Sequence, residues 1–186
     1  LMLSSSGQVA MQLDPAPQSG GALAGAKLTT ETIITFGIGS ALYALPVTPV
    51  LEILDTRDIA PLPRAPAHLL GLIDRRGVSV PVVDMRLLLG LETLQSTDET
   101  RILVLRVALE GEDTGVLGLR VDRVIEVTVL DDARSDDLPE ANLLDWNARM
   151  VSGIGRREGA FVTVLDIDYL FDRTTLNHSS PLTRLA

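Results

Sequence analysis

Groups able to carry chemistry are sparse in this chain and widely scattered. Cysteine is absent, and histidine occurs only at His68 and His178. Nucleophilic triads and zinc sites need histidine or thiolate at close spacing. No Gly-x-Ser-x-Gly elbow, phosphate-cradling glycine loop or His-x-x-x-His pair is present. Carboxylates do pair, Asp131 with Asp132 in sequence and Asp84 with Asp166 by repeat position. The second pair follows two equivalent strands, which points to a shared turn-capping role rather than an acid and a base. The expectation is therefore no catalytic residue, no metal and no cofactor. Glu52 and Arg76 stand out because each lies among apolar neighbours. A buried carboxylate is costly without a partner, and a guanidinium fork satisfies both of its oxygens. A Glu52–Arg76 salt bridge is expected, either fixing a bend internally or also presenting Arg76 to a partner.

Arg76 lies in the stretch around which the chain is organised, Leu69 to Leu89. A doubly basic turn bounded by glycines (Gly71, Arg75, Arg76, Gly77) runs into Val78-Ser79-Val80-Pro81-Val82-Val83-Asp84, a β-branched run that favours a strand. Residues 150–171 repeat it, with Gly71, Arg75, Gly77, Val80, Val82, Asp84 and Leu88 recurring as Gly153, Arg157, Gly159, Val162, Val164, Asp166 and Leu170. A second block recurs in the same order. Leu45, Val47, Val50 and Glu52 return as Leu119, Val121, Val124 and Glu126. The reading is a duplicated β module. In the second copy Glu158 stands in place of Arg76, so Arg157 is expected to serve Glu126.

Composition agrees with a compact β protein. Hydrophobic residues make up 46% of the 186 and aromatics only 3%, so the core must be built from Val, Leu and Ile. The formal charge of −9 gives no basic footprint for nucleic acid and opposes adsorption to anionic lipid. No apolar run reaches the ~20 residues of a membrane span. The first residues lack the basic start and apolar run of a secretory signal. A cytoplasmic protein is expected.

Residues 1–30, rich in Ser, Gly, Ala, Gln and Pro, read as a flexible extension. Thr32–Ile38 and Ala41–Val47 read as a hairpin turning at Gly39-Ser40, followed by a short strand carrying Glu52. Ile59–Pro66 is a proline-stiffened connector, and Ala67–Leu70 has room for one helical turn. Met85–Leu91 is ambiguous between strand end and short helix. Arg101–Ala108 and Val116–Val129 give the second hairpin, and the acidic Asp131–Asp145 is a solvated loop. Ile167–Phe171 caps the last strand as a short helix, and residues 173–186 form a tail. Short strands, glycine turns and duplication suit two small barrels better than one large sandwich.

Over Thr32 to Asp172 these residues resemble the CheW-like chemotaxis adaptor family. The resemblance runs through Thr35–Gly39, Tyr43–Ile53, Pro63–Gly71, Asp74–Arg86, Thr100–Val104, Gly118–Val127 and Gly159–Leu170. One departure is Arg75, a charge where the family favours an apolar residue before the arginine at Arg76. The resemblance implies an all-β fold of two five-stranded Src-homology-3-like barrels sharing a core, with a short C-terminal helix, over residues 31–172. It implies a non-enzymatic scaffold coupling chemoreceptors to the CheA histidine kinase in bacterial chemotaxis. Its partners would be the cytoplasmic tip of a methyl-accepting chemotaxis protein and the regulatory domain of CheA. A groove between the barrels, formed by Val50, Glu52, Gly71, Arg76, Gly118, Val124 and Val127, would receive the helical receptor tip. Gly71 and Gly118 either let that helix approach or serve turns. No attached receiver or kinase domain is seen, so a stand-alone adaptor reaching membrane arrays through its partners is expected. The alternatives are an adaptor of the same fold in a pilus-motility or surface-sensing system, or a ligand-binding or hydrolytic barrel.

Overall fold

The computed structural model describes residues 30–108, 113–134 and 148–171. The extension 1–30 (save Thr30), most of the acidic loop and the tail 173–186 lie outside the described residues. Among the described residues eleven strands form: β1 Ile33–Ile38, β2 Ala41–Pro46, β3 Val50–Asp55, β4 Leu69–Arg75, β5 Val78–Asp84, β6 Arg101–Ala108, β7 Thr114–Val121, β8 Arg123–Thr128, β9 Asp132–Arg134, β10 Val151–Arg157 and β11 Ala160–Leu165. A helical turn follows each repeat, α1 (Met85–Leu88) after β5 and α2 (Ile167–Leu170) after β11. Ala67–Leu70 is not helical; the chain turns and enters β4 at Leu69, because the carbonyl of Pro66 accepts the Leu69 N–H in a tight turn.

The repeat is real in three dimensions, but each copy does not fold by itself. One sheet has the order β8-β1-β2-β11-β10-β9 and the other β3-β6-β7-β5-β4. The hairpin β1–β2 of the first copy completes the sheet of β8, β10 and β11. The hairpin β6–β7 of the second completes that of β3, β4 and β5. Equivalent positions meet in equivalent registers. In the five-stranded sheet one rung runs Gly71, Val82, Gly118, Val104, Glu52. In the other it runs Gly153, Val164, Ala44, Thr35, Glu126. The sixth strand, β9, has only a single bridge, Ala60 to Leu72, as its counterpart.

This exchange explains why β1 is buried at all six residues. Ile33 faces a barrel interior with Ala44, Val162 and Val164, whereas Ile34, Phe36 and Ile38 face outward into a core shared with the other barrel. On β6, Ile102 and Val104 fill the second interior, and Leu103 and Leu105 enter the shared core. The shared core holds sixteen of the described buried residues, against five and six in the two interiors. At roughly 1.5–3 kcal/mol for each large aliphatic side chain buried, the joint between the barrels supplies more of the hydrophobic stabilisation than either interior.

Backbone approach, not turn formation, accounts for Gly71. At φ 147° it lies under Ala60, whose carbonyl oxygen would sit 2.0 Å from an added Cβ. At Gly118 the nearest obstacle is a side chain, Ile102 Cγ2 at 2.8 Å, which can shift. Gly71→Ala is expected to cost about 3 kcal/mol or more and Gly118→Ala about 1–2 kcal/mol, read by urea unfolding. His68 is also buried, its Nδ1 has no partner among the described residues, and burial pushes its pKa down. The folded state therefore holds His68 neutral while the unfolded chain binds a proton near the ordinary pKa of about 6.5. Stability should fall as pH drops below that value, and His68→Leu should abolish that slope.

Candidate functional site

A curled sheet closes into a barrel only if its two ends are held together. In the five-stranded sheet those ends are β3 and β4, which share no ladder. The side chains of Glu52 on β3 and Arg75 on β4 bridge them, with Arg75 Nε donating to Glu52 Oε2 at 2.8 Å. In the six-stranded sheet Arg157 Nε donates to Glu126 Oε1, also at 2.8 Å, joining β10 to β8. The same bridge closes both barrels.

The expected Glu52–Arg76 ion pair is present, but as the longer of two, with Arg75 the nearer partner. Arg76 Nη2 reaches Glu52 only at 4.0 Å, and its side chain is 81% exposed. The cause is the turn. Arg75 pairs with Val78, leaving Arg76-Gly77 as a two-residue loop with φ 54° and 82°. Positive φ at both central residues is the twist-matched hairpin turn, and it throws the first of them out of the sheet. Arg75, still in the strand, keeps its place beside Glu52. The second hairpin repeats the geometry at Glu158-Gly159, with φ 50° and 81°, and there too the last strand residue, Arg157, makes the bridge. Arg157 does not compensate for a missing arginine; it is the equivalent of Arg75. The signal was present in the repeat, where Arg75 recurs as Arg157 and Arg76 is replaced by Glu158.

The electrostatics differ between the two copies. The Arg75 hydrogen bond holds the Glu52 carboxyl below the usual glutamate range, with Arg76 and Arg57 adding to it. Arg157 also contacts Asp131 at 3.1 Å. The Glu158 backbone N–H and then Arg157 hold Asp131 below the usual aspartate range. Glu126 and Asp131 push the Arg157 pKa up, so it stays charged. The two turn tips thus share a backbone conformation and carry opposite, largely exposed charges, with Arg76 4.0 Å from Glu52 and Glu158 3.7 Å from Arg157.

The seven expected groove residues separate into three settings. Gly71 and Gly118 lie on the rung with Glu52, but both are buried against atoms of their own barrel. They shape the strands and offer no surface. Val50 and Val124, equivalent in the repeat, both pack partly buried against the shared core. Glu52 and exposed Arg76 form the third setting, and Val127 is 54% exposed on β8. Sequence reasoning missed Leu51 and Ile53 on β3, and Ile125 and Val129 on or just after β8, all exposed. Both strands are sheet ends, and apolar residues on both sides of Glu52 and of Glu126 were the available sign. Asp84 and Asp166 do share a capping role, accepting from the backbone N–H of Arg86 and Tyr169. Among the described residues no group of three or more His, Asp or Glu side chains is placed to hold a metal ion.

Arg75→Ala should lower the thermal midpoint more than Arg76→Ala, since only the former opens the barrel edge. Glu52 is ionised in the folded state at a pH where the unfolded chain has begun to bind a proton. Its share of stability is therefore present above the ordinary glutamate range and is lost as pH falls below it. That loss should be absent in Glu52→Gln, read by thermal unfolding between neutral and acid pH.

The comparisons with known proteins agree with this architecture. The family described as "CheW-like domain" matches residues 32–175. The chemotaxis protein CheW of Treponema pallidum is 31% identical over 146 residues, covering 77% of this chain and 84% of its own. That of Helicobacter pylori is 29% identical over 140 residues, covering 75% and 81%. Protein FrzA of Myxococcus xanthus is 30% identical over 123 residues, covering 66% and 69%. The crystal structure of the scaffolding protein TtCheW from Thermoanaerobacter tengcongensis superposes with a TM-score of 0.65 at 24% identity, over 78% of this chain and 94% of that one, a likeness of fold. With its paired barrels, its order of motifs and a match over most of its length, the chain belongs to the CheW-like family of chemotaxis adaptors.

Proposed function

We propose that this protein is a non-enzymatic scaffold that couples the cytoplasmic tip of a chemoreceptor to the regulatory domain of the CheA histidine kinase. Residues 31–172 act as the adaptor domain, and 1–30 and 173–186 flank it. It works in the cytoplasm and reaches receptor arrays through its partners. Among the described residues no helix is long and apolar enough to cross a membrane.

The observation that carries this reading is the exposed guanidinium of Arg76. It stands at a rigid turn tip, beside a carboxylate already satisfied by Arg75. A charge so held, and so little used internally, suits recognition of an acidic group on a helical partner. Val50 and Val124 supply apolar surface at the margin of the shared core, with Val127 beyond them. Gly71 and Gly118 contribute by shaping strands rather than by contact. The exposed pair Leu51 and Ile53, on the open edge of the five-stranded sheet, suits the kinase regulatory domain. Sheet edges with exposed apolar residues are surfaces that proteins normally cover.

Arg76→Glu should reduce binding of a receptor-tip fragment at least tenfold in titration calorimetry, with no change in thermal midpoint. Ile53→Asp should weaken binding to the kinase regulatory domain and spare the receptor fragment. No binding of either fragment at tens of micromolar would sink the proposal.

A further inference from the structure

The two halves of the chain are joined between α1 and β6 by residues 89–100, and the manner of their attachment is unusual. Every residue from Leu91 to Glu99 is exposed, and none of them belongs to an apolar cluster. The segment is held by polar contacts, most of them to two arginines. Arg86 Nε donates to the carbonyl of Glu92 at 2.8 Å. Arg120 Nη2 donates to the carbonyl of Leu94 at 2.6 Å and to Ser96 Oγ at 3.1 Å. Thr93 Oγ1 donates to Asp84 Oδ2, and Thr56 Oγ1 donates to Ser96 Oγ. With two carbonyls turned inward, Leu91 and Leu94 are left 43% and 53% exposed.

Neither arginine depends on the segment for its charge partner. Arg120, buried, pairs with buried Asp84 at 3.3 Å. Arg86 pairs with Asp122 at 2.6 Å, and the same Asp122 oxygen accepts the Gly39 N–H at 2.7 Å. That second contact ties α1, on the five-stranded sheet, to the β1–β2 turn of the other sheet. Both ion pairs belong wholly to the barrels.

We propose that residues 92–96 form a detachable strap, fastened by neutral carbonyl and hydroxyl groups onto two ion pairs that persist when it leaves. Its release breaks hydrogen bonds that water can replace and strands no buried charge, so it occurs as a local opening below global unfolding. Opening adds slack to the covalent link between the halves and exposes Asp84 and Arg120 to solvent, while the Arg86–Asp122–Gly39 contact keeps the barrels in register. The strap's cation has no counterpart in the repeat. Where Arg120 meets Asp84 in the parallel ladder of β5 and β7, the corresponding place on β2 is Pro46, which has no cation to offer. The strap's release does not depend on which partner the barrels bind.

The sequence contains no cysteine, so Leu94→Cys in the full chain takes a single nitroxide label; Leu94 holds the strap by its carbonyl, which the change leaves in place. The mobile fraction of the label's spectrum should rise at least threefold when Thr93→Val and Ser96→Ala are added. The thermal midpoint should move by no more than about 4 °C. In urea, the label should become mobile at a lower concentration than that of the circular-dichroism transition, in the Leu94→Cys chain alone. An unchanged mobile fraction in the triple variant, or coincident urea midpoints in the single one, would overturn the proposal.

Discussion

The apolar joint between the two barrels is the constraint from which the rest of the structure follows. It is built from the outward faces of β1, β2, β6 and β7, strands that have each been given to the opposite copy's sheet. A strand with both faces covered is largely apolar, which is why Ile33–Ile38 and Ile102–Leu105 show no alternation, the buried Thr35 hydroxyl being satisfied by the Glu126 carbonyl. Because each barrel needs the other half's hairpin, the two interiors and the joint form together or not at all. A chain this poor in aromatics gains from such an arrangement. Two interiors of five and six buried residues would be marginal alone, and the joint supplies what they lack.

Barrel closure rests on a second, smaller device used twice. Glu52–Arg75 and Glu126–Arg157 each cross the gap between strands that no ladder joins, at the same 2.8 Å. Geometry selects the strand-end arginine for this, since the next residue enters a turn with positive φ and leaves the sheet. In consequence Arg76 and Glu158, placed alike on the two barrels, stay largely exposed and reach the bridges only at 4.0 and 3.7 Å. Opposite charges on equivalent tips give an otherwise symmetric scaffold two distinguishable ends.

Asymmetry of a different kind lies at the joint itself. Arg86, Asp122 and Gly39 tie the two sheets together, and Arg120 and Asp84 form a buried pair beside them. Nothing in the repeat predicts these contacts, because the corresponding residues of the other copy are Asp168, Thr48 and Pro46. The duplicated parts build the barrels, and the unduplicated residues set how the barrels are held.

Local pattern alone was enough for much of the architecture. β-Branched runs located β1, β2, β6 and the second strand of each repeat hairpin, β5 and β11, and the recurring Gly and Asp positions foretold equivalent turns and the capping by Asp84 and Asp166; Leu69–Arg75, read as part of the turn, is instead the strand β4. These features depend on residues within a few positions of one another, so the sequence contains them directly. The exchange of hairpins between copies was not legible, because a strand's own pattern is the same whichever sheet it joins. The choice of Arg75 over Arg76 was decided by turn conformation, which directs neighbouring side chains to opposite sides. Gly71 and Gly118 read as turns or as room for a partner; they are glycine because Ala60 and Ile102, 11 and 16 residues away, press against them. What the sequence determined by itself was most of the strands and their duplication, both written in short-range spacing; β9, at the start of the stretch read as a solvated loop, forms only by pairing with β10. What the tertiary structure decided was which copy pairs with which, and which arginine closes each barrel, since both depend on contacts between residues far apart in the chain.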